Sequence, residues 1–106
     1  EPMQIFGLKN CDTCRAARKA LPGAEFVDVR DQPMDAAILD AALATFGEAL
    51  VNRRSTTWRG LDEATRAQDP RSLLADHPAL MKRPLILDGD RMVLGWTKAT
   101  QAELGV

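Results

Sequence analysis

Apolar and polar residues alternate over Met3-Gln4-Ile5-Phe6, which predicts a short strand, and Gly7-Leu8-Lys9-Asn10 follows as a loop. From Thr13 to Leu21, Ala16, Ala17, Ala20 and Leu21 recur at helical spacing with Arg15, Arg18 and Lys19 between them. That spacing predicts a helix, and Pro22-Gly23 stops it. Phe26-Val27-Asp28-Val29 reads as a second strand, and the order strand, helix, strand favours parallel pairing. Pro33 and Asp35 open a second helix. Its Met34, Ile38, Ala41, Ala42 and Thr45 lie to one side, with Leu39, Leu43 and Phe46 beside them and Gly47 as the stop. Residues 51 to 60 read as a basic, polar connection, followed by a short helical piece around Asp62 to Ala67. Asp69-Pro70 starts another helix, with Asp as cap and Pro at the first helical position, and Pro78 ends it. Pro84-Leu85-Ile86-Leu87 and Met92-Val93-Leu94 flank Asp88-Gly89-Asp90 as an antiparallel hairpin, and Thr97 caps a last helix reaching Leu104.

This order predicts an α/β chain whose mixed sheet has parallel N-terminal strands and an antiparallel C-terminal hairpin. That is the thioredoxin-like arrangement, and a different mixed α+β sheet is the alternative. One domain is expected over residues 3–104, with an inserted helical subdomain at approximately 34–80. Glu1 and Pro2 precede Met3, which reads as the natural start, so these two are taken as a remnant without function.

A chain of 106 residues fits one domain. Its 14 Lys and Arg against 15 Asp and Glu leave a formal charge of −1, which argues against direct nucleic-acid binding. No apolar stretch approaches membrane-spanning length, and the N-terminus has no basic segment followed by an apolar run. The cytoplasm is therefore the expected compartment, where stable structural disulfides are rare. A close cysteine pair there points to redox or metal chemistry. A monomer is the simplest expectation for the assembly.

That pair is Cys11 and Cys14, and Cys11-Asp12-Thr13-Cys14 falls where the first strand gives way to the first helix. Free backbone N–H groups and the helix dipole favour a thiolate at such a place, by about 0.3–1 kcal/mol and up to about 2 in partly buried geometry. Lys9 and Arg15 are expected to help, and Asp12 to oppose. Cys11 is expected to be the exposed nucleophile, and Cys14, inside the helix, the more buried resolving thiol. The bland reading is two reduced structural cysteines. A zinc site needs four ligands, and the single His77 has no histidine partner, so no metal site is expected. Arg83-Pro84 precedes the predicted hairpin. A cis bond there is uncommon by composition alone, and the fold context is what favours it. Arg83 then lies near Cys11, where its planar fork suits a carboxylate or a tetrahedral oxyanion. Arg53, Arg54 and Arg59 form a second basic group, to be read equally as part of an anion site or as a solvated face.

The stretches Gly7-Leu8-Lys9-Asn10-Cys11-Asp12-Thr13-Cys14-Arg15, Asn52-Arg53-Arg54-Ser55-Thr56-Thr57-Trp58-Arg59 and Lys82-Arg83-Pro84-Leu85, with Leu94-Gly95-Trp96, resemble the ArsC family, and within it the small Spx/YffB-type branch. The resemblance runs from Met3 to Leu104. It implies Cys11 as catalytic cysteine, Arg83 as anion-binding arginine and Pro84 as the cis-proline, with Arg54 or Arg59 as a second anion-binding arginine; Arg15 is expected beside Arg83, Pro84 and Arg54 at the substrate site. It implies no bound cofactor, glutathione as co-substrate, and glutathione or glutaredoxin as electron source for a small thiol or oxyanion substrate. The chain departs from the arsenate reductases of that family. They have a histidine where Gly7 stands, and Gly and Ser where Asp12 and Cys14 stand. Asp12 beside the thiol repels an oxyanion. The expected function is thus a glutathione-dependent thiol-disulfide oxidoreductase. The alternatives are a redox-sensing transcription regulator of Spx type that binds RNA polymerase, and a true arsenate reductase.

Overall fold

The computed structural model describes residues 3–106, so Glu1 and Pro2, read above as a remnant, lie outside the described residues. The chain divides into two compact units. One gathers the chain up to Gln32 together with Arg83–Val106, and the other is Pro33–Lys82.

The first unit holds a four-stranded sheet in the order β2-β1-β3-β4. Strand β1 (Gln4–Gly7) leads through helix α1 (Asp12–Ala20) to β2 (Glu25–Asp28), which pairs parallel to β1 with Ile5 opposite Phe26. Strand β3 (Leu85–Asp88) runs antiparallel to β1, with Ile5 opposite Ile86, and β4 (Arg91–Leu94) closes a hairpin on β3. This is the thioredoxin-like arrangement. Asp88 pairs with Arg91, so the loop is the two residues Gly89-Asp90, one shorter than the three read from the sequence. Gly89 has φ +61° and Asp90 does not have positive φ, the pattern of a type II′ turn, whose twist matches the flanking strands. Ile5, Ala17, Ile86 and Val93 form the buried centre, with Leu21, Phe26, Trp96 and Leu104 packed around it.

Helix α1 turns a different face inward from the one its alanines suggest. Cys14 and Ala17 are buried, Leu21 is half-buried, and Ala16 and Ala20 are exposed. The buried stripe therefore runs 14, 17, 21, one helical ridge that includes the second cysteine.

The second unit holds α2 (Ala36–Phe46), α3 (Thr56–Arg59), α4 (Glu63–Arg66) and α5 (Pro70–Asp76), joined by short 3-10 turns at Gly47–Leu50 and Pro78–Leu80. Side chains of Asp35, Ser55, Asp62 and Asp69 each accept a backbone N–H at the start of one of these helices. Pro70 occupies the first turn behind Asp69, where it sacrifices no helical bond. Helix α3 lies within what reads from the sequence as an irregular basic connection. The last helix, α6 (Lys98–Leu104), belongs to the first unit and opens on a capping box between Thr97 and Thr100. Among the described residues no helix is long and apolar enough to cross a membrane.

Candidate active site

Strand β1 ends in a sheet interior and α1 begins five residues later, so the connecting loop must reverse direction over the carboxyl end of the sheet. Cys11 is the residue at which that loop becomes helix. It has extended backbone angles (φ −98°, ψ 126°), and its carbonyl accepts the first helical hydrogen bond, from Arg15 at 2.9 Å. Its side chain is half-buried and a free thiol. The Sγ lies 3.2 Å from Thr13 Oγ1. Burial alone raises the pKa of this thiol. Hydrogen bonds from the Thr13 hydroxyl, the Cys14 backbone N–H, the Cys14 thiol and the Arg83 guanidinium outweigh it, and the pKa falls from 9.0 to about 7. The orphan N–H groups of a helix start thus act on the sulfur directly.

Cys14 is fully buried. Burial is the largest influence on its thiol and takes the pKa up to about 11, with the adjacent Cys11 sulfur adding to the rise and the Leu8 N–H and the Arg83 charge opposing it. Two sulfurs on one helical turn are thereby driven apart, one toward thiolate and one held as thiol at neutral pH.

Gly7 provides the seat for the buried sulfur. A Cβ at this position would stand 2.4 Å from Cys14 Sγ and 3.3 Å from Cys14 Cβ. The backbone of Gly7 is not in the left-handed region, so glycine is required here for space alone.

The remaining candidates fall in both units. Arg83 donates to the Cys11 sulfur, so these two and Cys14 form one cluster in the sheet unit. Pro84 is fully buried, follows a cis peptide bond, and its carbonyl accepts from Gly95 N–H at 2.8 Å. Arg15 is exposed and bonds Asp12 at 2.5 Å, while Lys9 bonds Asp31 at 2.7 Å. The help expected from these two cations is therefore replaced by Thr13, Cys14 and Arg83. The charge of Asp12 is likewise answered by Arg15 rather than directed at the sulfur.

Arg54 belongs to the helical unit. There the Arg59 guanidinium is committed to the Arg54 carbonyl, Arg66 to the carbonyls of Trp58 and Arg59, and Arg53 to Glu48. Among the described residues the Arg54 guanidinium has no such partner, and it lines an open groove with Arg53, Asn52 and Lys82. Of the two arginines left open by the resemblance, Arg54 is the one with its fork available.

Thr13, Gly7 and the Leu8 N–H lie against the two sulfurs and are not among the site residues expected from the sequence. The signal for Thr13 was present, since a hydroxyl two residues past a helix-capping cysteine lies within reach of its sulfur.

The ArsC family matches the chain over residues 6–104. An uncharacterized protein of Haemophilus influenzae is 38% identical over 103 residues, covering 89% of this chain and 90% of that protein. The solved structure of a YffB protein superposes with a TM-score of 0.85 at 31% identity, covering 95% of this chain and 96% of its own. An arsenate reductase related protein from Brucella melitensis does so with a TM-score of 0.72 at 33% identity, covering 100% and 97%. An arsenate reductase from Vibrio cholerae, 14% identical over 100% of this chain and 99% of its own, shares the fold with a TM-score of 0.73. With its cysteine at the start of α1, its Arg83-Pro84 pair and a match across nearly its whole length, the chain belongs to the ArsC family.

Proposed function

We propose that the protein is a thiol-disulfide oxidoreductase that uses Cys11 as nucleophile and glutathione as co-substrate. The observation that carries this is the hydrogen-bonded sulfur at the start of α1, whose pKa near 7 leaves about half of it as thiolate at neutral pH. The Cys11 thiolate forms a bond to one sulfur of a disulfide, and the other sulfur leaves as thiolate. In the mixed disulfide Cys11 is oxidised and the departing sulfur reduced. A second thiolate then attacks the substrate sulfur of the mixed disulfide, a new disulfide forms there, and Cys11 leaves as thiolate in its starting state. In the mixed disulfide Cys11 carries no charge, but burial, the largest influence on Cys14, still holds that thiol above the ordinary range, whereas a free thiol near 8.5 is about 3% thiolate at neutral pH. This difference favours glutathione over Cys14 as the resolving thiol.

Alkylation of Cys11, followed by mass spectrometry across a pH series, is expected to titrate with a midpoint near 7. A midpoint at or above about 8.5, the value for free cysteine, removes the basis of the proposal.

Arsenate reduction is the second reading, favoured by the Arg83 guanidinium on the Cys11 sulfur and by the ion pair that occupies Asp12. The thiolate would bond to arsenic and displace one arsenate oxygen as water; a glutathione thiolate attacking the Cys11 sulfur would then break the sulfur–arsenic bond and release arsenite, the Cys11–glutathione disulfide accounting for the two electrons. With glutathione and glutaredoxin present, turnover of arsenate is expected to stay at the level of a Cys11→Ser control. Turnover clearly above it reverses the order of the two readings.

A further inference from the structure

The outer side of α1 is basic, and it leads away from the nucleophile. Positions 11, 15 and 18 recur at helical spacing on one side of α1, so Cys11, Arg15 and Arg18 form a line, and Pro22 lies just beyond the helix end. Beside that line is an open groove of about 590 Å³, lined by Arg15, Arg18, Lys19, Pro22, Ala24 and Phe26. Arg18 is fixed within it, its guanidinium carbon 4.3 Å from the centre of the Phe26 ring. Among the described residues neither Arg18 nor Lys19 has an ion-pair partner. The nearby carboxylates are engaged elsewhere, Asp12 with Arg15 and Glu25 with the Gln4 amide. Two unpaired cations, Arg18 and Lys19, thus stand along one groove beside Arg15, whose charge is shared with Asp12, on a chain whose formal charge is −1.

We infer that this groove docks an extended acidic segment of a partner protein, which holds that partner's disulfide over Cys11. Length distinguishes this occupant from glutathione. With a rise of 1.5 Å per helical residue, Arg15 lies about 6 Å along the axis from Cys11, and Arg18 and Lys19 about 10–12 Å. An extended chain covers about 3.3–3.6 Å per residue, so each one-residue arm of glutathione reaches the neighbourhood of Arg15 and stops. A protein segment reaches Arg18 and Lys19 with its third or fourth residue from the cysteine. Arg18 stacked on Phe26 presents a charge that is already oriented, which reduces the ordering cost of pairing it with a carboxylate. The groove itself does not depend on the thiol proposal; only the placing of a disulfide at Cys11 does.

The test separates the two. A labelled peptide with glutamates three to five residues from a serine, standing in for the cysteine, is titrated into the full-length protein by fluorescence anisotropy and amide chemical-shift mapping. Expected are shifts at Arg15, Arg18, Lys19 and Phe26, and affinity at low salt about five- to tenfold above that of the matching glutamine peptide. The preference is expected to vanish in R18E/K19E, to weaken in R18Q/K19Q, and to fade in 0.5 M salt. Equal affinity for the two peptides, or a preference that survives in R18E/K19E, overturns the inference. Reduction rates for the cysteine versions of both peptides, as mixed disulfides, and for oxidised glutathione are measured in parallel. R18E/K19E is expected to slow the acidic peptide alone. Peptide binding without any thiol exchange would sink the proposed reaction and leave the groove standing. Exchange without peptide binding would do the reverse.

Discussion

Gly7→Ala is expected to lower stability by about 1–3 kcal/mol in equilibrium urea unfolding, the range for forcing an extra carbon into a packed site. The same change in a Cys14→Ala background is expected to be close to neutral. The sign is informative, because the backbone of Gly7 is not in the left-handed region and alanine there should stabilise slightly by restricting the unfolded chain, by about 0.4–1 kcal/mol. A loss must therefore come from the added carbon meeting Cys14 Sγ at 2.4 Å. Without the sulfur the closest atom is the Cys14 Cβ at 3.3 Å, a contact relieved by a shift of a few tenths of an ångström. The double-mutant cycle thus isolates one contact, with a coupling of at least about 1 kcal/mol. Equal cost in both backgrounds would mean that the sulfur is not what fills the space. Gly7→Ala is also expected to raise the alkylation midpoint of Cys11, because displacing Cys14 moves both its thiol and its N–H away from the Cys11 sulfur.

Any side chain at position 7 and the buried Cys14 sulfur compete for one volume, so Gly7 and Cys14 belong together as a pair. The Cys11 sulfur is stabilised without a side chain at position 7, by the Thr13 hydroxyl, the Cys14 N–H and thiol, and Arg83.

What could be read from the sequence was whatever has a local cause. The βαβ unit follows from periodicity, the Asp69-Pro70 and Thr97 starts from capping chemistry, and the hairpin from Gly89 between two apolar runs. The position of Cys11 followed from the junction of strand and helix. Helix α3 has no apolar period to announce it. It is four residues long, capped by Ser55, and its carbonyls are satisfied by Arg66 from the next helix, so its stability is spread over residues too far apart for a pattern to register. The meeting of Gly7 with Cys14 is invisible for the same reason, being an approach between a strand end and a helix turn. The inward face of α1 was misread because alanine carries little preference for either side, while Cys14 among small apolar residues is among the most readily buried.

The cysteine pair is expected to give the protein a stability maximum near pH 9, once other titrations are cancelled by comparison with variants. Cys11 has a folded pKa of about 7 against an ordinary 9.0, so between these values the unfolded chain holds the proton and the folded one does not. Stability therefore rises with pH across that window, and it is lost again as pH falls through 7. The sulfur is only half-buried, so solvent screening holds the rise well below the full 1.36 kcal/mol per pKa unit, to about 1 kcal/mol. Cys14 acts in the opposite sense. Its folded pKa of about 11 lies above the ordinary 9.0, so from pH 9 to 11 the folded protein retains a proton that the unfolded chain has released, and stability falls. Urea unfolding of the reduced protein at intervals from pH 6 to 11 measures both limbs. Cys11→Ser is expected to abolish the rising limb and to make the falling one shallower, since the neighbouring thiolate is part of what raises Cys14. Cys14→Ser is expected to abolish the falling limb and keep most of the rise, because Thr13, the residue-14 N–H and Arg83 still reach the Cys11 sulfur. If the wild type and Cys11→Ser run parallel from pH 7 to 9, the folded protein does not favour the Cys11 thiolate, and the helix start is then a structural junction rather than a reactive one.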